Sequence, residues 1–408
     1  MMLKRFIKKR NENNKETTGF RLLEVIIIMI ICILFGMTST LYVMYPHLEK
    51  RNNKTEINED FKEIASVFEI VTNNYYEEVD KNALKEAAIE GMLKYLGDNN
   101  TYYFDEGEKN DFDERMNGEY HGIGVELVTD INGDSIIVNV FPNTPAYENG
   151  LKVGDVIKAV DDQDATKMTS ADIASYIKES DIKSVDLKIE RNKEIIEVNI
   201  AKQKVIINSV TSDIFERKNK KIGYLNISVF AINTYQQFRN EVISLEEAGV
   251  DSFIIDVRSN AGGYLDIVVD MIEMFLEEEQ IVYQMEANNE ITTYYDKTEE
   301  ARDSSVVVLI NEQSASASEI LAAAFKEIYG SEIVGVKSFG KGTVQETREL
   351  ENGGMIKITT QKWLTPNGNS IEKEGIEPTF EIQMDEKYYK NPTYENDNQL
   401  QKALSLIK

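Results

Sequence analysis

Ser305-Val306-Val307-Val308-Leu309-Ile310-Asn311-Glu312-Gln313-Ser314-Ala315-Ser316-Ala317-Ser318-Glu319-Ile320-Leu321-Ala322-Ala323-Ala324 makes three structural statements in a row. Residues 306–310 are an unbroken apolar run rich in β-branched side chains, which predicts a strand. A polar turn interrupts it, and from Ala317 an alanine-rich stretch predicts a helix over 317–329. The same alternation recurs upstream, with strands expected at 222–227 and 252–257 and helices at 234–248 and 265–277. Strand and helix in repeated succession indicate an α/β layered domain. Each strand end is followed by a turn rich in small residues, the place where such domains present reactive groups.

Three of those turns hold chemistry. In the first, Ser316-x-x-Glu319 fits a capping box, the ordinary role of a serine at a helix start. The same position also sets Ser316 where N–H groups and the helix dipole favour a developing negative oxygen. The second turn, Ser338-Phe339-Gly340-Lys341-Gly342-Thr343-Val344-Gln345, places Lys341 25 residues after Ser316. Gly335 to Lys341 spells the first seven positions of a phosphate-binding loop, but Gly342 stands where Ser or Thr would hold magnesium, and no clear helix follows. A lysine flanked by glycines is ordinarily just part of a surface loop, but one whose charge is disfavoured by burial can serve as a general base for serine. The third turn is Asp256-Val257-Arg258-Ser259-Asn260-Ala261-Gly262-Gly263. Its paired glycines suit a tight turn before a helix, and they also free N–H groups to point at a substrate carbonyl.

Composition narrows the choices. The 408 residues exceed one small domain and predict two or three. With 71 Asp and Glu against 45 Lys and Arg, the formal charge is −26, which argues against nucleic acid as a partner. A hydrophobic share of 42% with 28% charged residues supports packed cores rather than disorder. The single cysteine, Cys32, excludes an internal disulfide, a cysteine-based zinc site and an iron–sulfur cluster. Two histidines, His47 and His121, are poorly placed to serve a hydrolase as base, so a lysine or a carboxylate must take that role in an enzyme.

The N-terminus carries Lys4, Arg5, Lys8, Lys9, Arg10, Lys15 and Arg21, followed by an uncharged stretch from 25 to 45, about the 20 residues that cross a bilayer. This pattern predicts a transmembrane anchor, with residues 1–24 cytoplasmic and everything beyond about 47 outside, a single-pass protein of the cell membrane. Gly19-Phe20-Arg21-Leu22-Leu23-Glu24 resembles a type IV prepilin processing site, and cleavage there would leave the anchor intact. A small helical region is expected at 58–115, where apolar residues recur at helical spacing and a run ends at Leu96-Gly97. Beyond Gly118 short β-runs take over, and Asn132-Gly133 between two of them signals a type I′ hairpin. Asp130, Asn132 and Asp134 hint at a calcium loop, but Ser135 and Phe141 occupy its required glycine and glutamate positions.

Residues 118–204 resemble a PDZ domain. Gly122-Ile123-Gly124-Val125 matches its carboxylate-binding loop, and Asn143-Thr144-Pro145-Ala146 followed by Gly150-Leu151 and Gly154-Asp155-Val156-Ile157 matches a second family run. The resemblance implies a C-terminal peptide ligand. Taken together, the three turns resemble those of the carboxyl-terminal processing peptidases, or tail-specific proteases: "SASASE", then "GKG..Q", with "D.R.N.GG" upstream. The likeness runs from Tyr75 to about Ile382 and includes Leu96-Gly97-Asp98 and Thr365-Pro366-Asn367-Gly368. It departs at Ala261, where proline is usual, and at Glu312-Gln313, where glycine is common.

This resemblance implies an α/β, ClpP/crotonase-like peptidase core at 205–385 with an inserted β-rich PDZ domain, leaving 386–408 as a C-terminal tail. It implies Ser316 as nucleophile, Lys341 as base, Gln345 as the residue orienting the lysine, and the N–H groups of Gly262 and Ala317 as oxyanion donors. The substrates implied are proteins with exposed C-terminal tails, with the PDZ domain capturing the tail and its position bearing on gating. No metal or other cofactor is implied, and homo-oligomerisation stays open. The competing reading is a membrane-anchored PDZ adaptor that binds tails and has lost activity.

Overall fold

The computed structural model describes residues 59, 61–130, 133–179 and 183–407. The chain divides into two units after Ala88. In the first, helix Lys62–Asn74 buries none of its residues, and Ile64, Val67 and Ile70 stand exposed along it.

The second unit is built on a six-stranded sheet whose order is Val210–Arg217, Lys220–Ile227, Ser252–Asp256, Ser305–Ile310, Glu332–Gly335 and Phe380–Glu381. The first pair is antiparallel and the rest are parallel. Alternate side chains leave on opposite faces, and here both faces are covered. Phe253, Ile255, Val308 and Ile310 pack under helices Thr234–Glu247, Leu265–Glu273 and Ala317–Ala324. Ile254, Val307 and Leu309 face the other way, against Leu400, Ala403 and Leu404 of helix Asn398–Leu406. That helix lies in the segment expected as a tail. The alternation read from the sequence is therefore present, with two shifts. The helix expected to reach Glu277 stops at Glu273, and the one expected to reach Tyr329 turns π-helical at Phe325–Tyr329 before Gly330 ends it with a left-handed backbone.

A second sheet of the same unit joins Tyr102–Phe104, Met355–Leu364, Ile281–Ala287 and Glu290–Tyr295, with Thr343–Glu349 also paired to Met355–Leu364. A third contains Val125–Thr129, Ser135–Val140, Val156–Val160, Ser184–Arg191 and Glu194–Ala201. With helix Ser170–Glu179 it encloses a separate core of Ile137, Ile157, Ile173, Leu187, Ile189 and Ile200.

The expectation of one transmembrane helix, and the single-pass membrane localisation drawn from it, do not stand. No helix among the described residues is long and apolar enough to cross a membrane. The longest, Lys81–Lys94 and Thr234–Glu247, have 14 residues each, which gives about 21 Å against a hydrocarbon core of about 30 Å. The stretch 25–45, the basic segment before it, Cys32, His47 and the prepilin-like Gly19-Phe20 lie outside the described residues, as does Asn132 of the hairpin turn.

One buried ionic knot ties the last helix to the central sheet. Arg258, just past strand Ser252–Asp256, donates to Asp256 at 2.5 Å and to Asp397 at 2.7 Å, and reaches Gln399 at 2.9 Å. Tyr224 donates its hydroxyl to Asp256 at 2.7 Å. Both carboxylates are almost wholly buried. Arg258→Ala leaves the two charges without their cation, and a loss of about 3–5 kcal/mol is expected in denaturant unfolding.

Candidate active site

The turn at the end of strand Ser305–Ile310 contains three serines that the sequence cannot tell apart by type, and the structure gives them different duties. Ser314 donates to the Val257 carbonyl at 2.8 Å and accepts from the Asn311 N–H. Ser318 donates to the Asn260 carbonyl at 2.8 Å. Both are fully buried, so their hydroxyls fasten this turn to the neighbouring one at 256–263. Ser316 is half-buried and borders a cavity of about 640 Å³. Its backbone sits at φ 56°, ψ −117°, a strained conformation for a side-chain-bearing residue, of the kind that persists only where surroundings enforce it.

Part of that enforcement is Glu319. Its carboxylate accepts the Ser316 N–H at 2.8 Å, the expected glutamate arm of a capping box. It also accepts the N–H of Gly340 at 2.7 Å, the N–H of Lys341 at 2.9 Å and the Ser338 hydroxyl at 2.6 Å. Burial pushes the Glu319 carboxyl above the usual range, and the four donors oppose that shift. The Lys341 carbonyl is held from the other side by Trp363 Nε1 at 2.8 Å. Both peptide groups of the lysine are thus fixed, and one carboxylate serves serine turn and lysine turn together.

Lys341 borders the same cavity as Ser316. Among the described residues its ammonium makes no ion pair. Burial lowers its pKa, and the charges of Asp98, Glu319 and Glu372 resist the fall. Gln345 also lines the cavity, and its amide Nε2 donates to Thr343 at 2.9 Å and Thr359 at 3.2 Å rather than forming a hydrogen bond with Lys341. Thr359 donates in turn to Asp98 at 2.5 Å. Burial alone would raise Asp98, but the hydrogen bonds from Thr359, Thr101 and Asn100 win and hold its carboxyl below the usual range.

The glycine turn approaches closely. A Cβ on Gly262 would lie 3.0 Å from Ser316 Cβ and 3.2 Å from the Ala317 nitrogen, and one on Gly263 would lie 2.2 Å from the Phe230 carbonyl oxygen. Gly262 donates its own N–H to Asn260 Oδ1 at 2.8 Å. The N–H groups of Gly263 and Ala317 have no acceptor among the described residues.

Gly122, Ile123, Gly124 and Val125 line a different cavity, of about 940 Å³, beside helix Ser170–Glu179. His121 borders that cavity and not the one at Ser316. Gly124 has φ +88°, and a Cβ there would sit 2.3 Å from Thr144 Cβ. The Ile123 carbonyl accepts from Ala146, while the N–H groups of Ile123 and Gly124 find no acceptor among the described residues.

The structure thus brings Ser316, Lys341, Gln345, Gly262 and Ala317 to one cavity and the PDZ-like loop to another. Sequence reading gave no role to Asp98, to Asn260 or to Lys357, a further residue of the cavity wall on strand Met355–Leu364. Leu96-Gly97-Asp98 was visible as a motif. Lys357, in a strand without any motif, left no signal.

Comparison with known proteins gives the family. Residues 221–382 match the family model described as peptidase family S41, 121–201 match a PDZ domain, and 37–108 match the N-terminal domain of the activating protease CtpB. A CtpA-like serine protease of Staphylococcus haemolyticus is 31% identical over 92% of this chain and 75% of its own. The carboxy-terminal processing protease CtpB of Bacillus subtilis is 34% identical over 81% of this chain and 69% of its own. A solved S41-type protease from Bacteroides fragilis shares the fold, with a TM-score of 0.55 at 17% identity over 78% of this chain and 89% of that one.

Glu319→Ala removes the acceptor of three backbone N–H groups and a buried hydroxyl. Since each stranded buried donor costs about 1–3 kcal/mol, a loss of at least about 3 kcal/mol is expected. Faster hydrogen exchange at the Gly340 and Lys341 amides should localise it.

Proposed function

The chain belongs to peptidase family S41, the carboxy-terminal processing serine proteases with a PDZ domain, and on that premise we propose that Ser316 is its nucleophile and Lys341 its general base. The observation that carries the reading is the shared cavity. A serine in strained backbone and a half-buried, unpaired lysine border the same space, and one carboxylate holds the backbone of both.

Neutral Lys341 takes the Ser316 proton as the hydroxyl oxygen attacks a peptide carbonyl, then returns it to the departing amine. Water hydrolyses the ester left on Ser316. The oxygen that becomes negative meets the Ala317 N–H, first of its helix and without a competing acceptor. Gly262 serves as second donor by turning its N–H away from Asn260 Oδ1. Gln345, with its nitrogen committed to Thr343 and Thr359, keeps its Oε1 to accept from the lysine and orient it.

Residues 118–204 act as the tail receptor and 205–385 as the peptidase. The free N–H groups at Ile123 and Gly124 suit a terminal carboxylate, and the strand after them, Val125–Thr129, suits pairing with an extended peptide. Substrates are proteins with exposed C-terminal tails. An inactive adaptor would have no need to keep serine, lysine and glutamine around one cavity.

Lys341→Ala and Lys341→Arg should both abolish turnover of a peptide substrate in a chain that still folds by circular dichroism, since arginine stays protonated. Activity of the unaltered chain should rise with pH as the lysine loses its proton, with a midpoint below about 10.4, the value of a free lysine. Near-normal hydrolysis by Lys341→Ala would overturn the assignment. For the receptor, Ala174→Trp fills the groove from the exposed side of helix Ser170–Glu179. It should cut cleavage of tailed proteins at least about tenfold while sparing acylation by a small activated ester. Equal loss on both would mean that the groove does not capture substrate.

A further inference from the structure

A second amine borders the Ser316 cavity. Lys357 lies on strand Met355–Leu364, opposite Tyr102 on one side and Thr347 on the other. Thr359, two residues along and so on the same face of the sheet, is the group that holds Gln345 and Asp98. The Lys357 ammonium stands 5.6 Å from the Tyr102 ring centre and 5.3 Å from that of Phe112, and both rings border the cavity.

What this cation lacks is a counter-charge. Among the described residues no carboxylate comes within 4.0 Å of it, and Glu346 of the cavity wall is taken by Arg348 at 2.5 Å. Arg115, in the last turn of helix Glu106–Asn117 at the cavity edge, has no ion pair among the described residues either. A chain of net charge −26 therefore lines this cavity with Arg115, Lys341, Arg348 and Lys357, against Asp266 and Glu346. Burial first, and then the positive charges of Lys341 and Arg115, push the Lys357 pKa down to about 8. Aromatic faces compensate only part of the cost of a desolvated cation. The rest calls for an anion that arrives with the substrate.

We propose that Lys357, with Arg115 at the edge, binds a carboxylate of the substrate and makes the peptidase select chain segments that carry an acidic group near the scissile bond. Lys357 is then a specificity determinant of the serine protease reading, on which this inference rests. The carboxylate has two sources, an Asp or Glu side chain or the terminal α-carboxylate of a short tail.

Two peptide series separate them. One exchanges Glu for Gln at each position flanking the cleaved bond, and the other compares a free C-terminus with its amide in peptides that end close to that bond. Values of kcat and KM are measured for the unaltered chain, Lys357→Gln, Lys357→Arg and Arg115→Gln. The unaltered chain should favour the charged member of one series by about tenfold in kcat/KM, mostly through KM, the scale of one charged hydrogen bond. Lys357→Gln should bring that ratio close to one, Arg115→Gln should lower it in part, and Lys357→Arg should keep most of it. Because the ratio compares two substrates on one preparation, partial misfolding of a variant cancels, and a failure of Ser316 or Lys341 chemistry shows instead as loss on every substrate. If Lys357→Gln proves inactive on all peptides, the unaltered chain and Lys357→Arg decide. An unaltered chain indifferent to charge in both series overturns the proposal. So does a Lys357→Gln chain that keeps the full preference, or one whose only change is a shifted pH midpoint, which would make Lys357 a neighbour tuning Lys341.

Discussion

A single buried carboxylate, that of Glu319, is the constraint on which the site depends. It caps its own helix through the Ser316 N–H and gathers two further N–H groups and a hydroxyl from a turn 19 to 22 residues away. A carboxylate with no exposed surface survives only when its oxygens are well supplied with donors. Those donors are the backbone of the two turns that must be held in register. Stability and site geometry are therefore one requirement, met by the same four hydrogen bonds.

Around that anchor, many polar side chains are committed to structure and others are left without a partner. Ser314, Ser318 and Asn260 join the serine turn to the glycine turn, while Gly263 lets the backbone pass against Phe230. Among the described residues, those left without a hydrogen-bond or ion-pair partner at the cavity include the ammonium groups of Lys341 and Lys357, the Arg115 guanidinium and the N–H groups of Gly263 and Ala317. Lys341 sits between opposing influences, desolvation that favours the neutral amine and the field of Asp98 that favours the charged one. Desolvation prevails, the direction a base needs near neutral pH.

Helix Glu106–Asn117 belongs to both cavities. Phe112, Arg115 and Met116 border the one at Ser316, while Asn110, Asp111, Asp113 and Glu114 border the one at Gly124. Asp111 and Glu114 share Lys178 of helix Ser170–Glu179, so one of their two charges is offset where the helix faces the PDZ groove. The opposite side contributes cationic and aromatic character to the peptidase cavity. One short helix thus gives the two sites contrasting electrostatics.

The α/β order, the PDZ signature, the serine, the lysine and the glycine turn were legible in the sequence because each is a local pattern. Strands and helices are written in hydrophobic periodicity, and turns in glycines and small residues at fixed spacing. The sequence also carried an apolar stretch at 25–45 that was read as a membrane span, and no described helix has that character. Which of three serines is unfastened, that Glu319 reaches beyond its own helix, and that Asp98 and Lys357 stand near Lys341 were decided only by tertiary structure. These are contacts between segments tens to hundreds of residues apart, such as Thr359 with Asp98 and Lys357 opposite Tyr102. A sheet register sets them, and a register is fixed by packing across the whole core rather than by any stretch of chain taken alone.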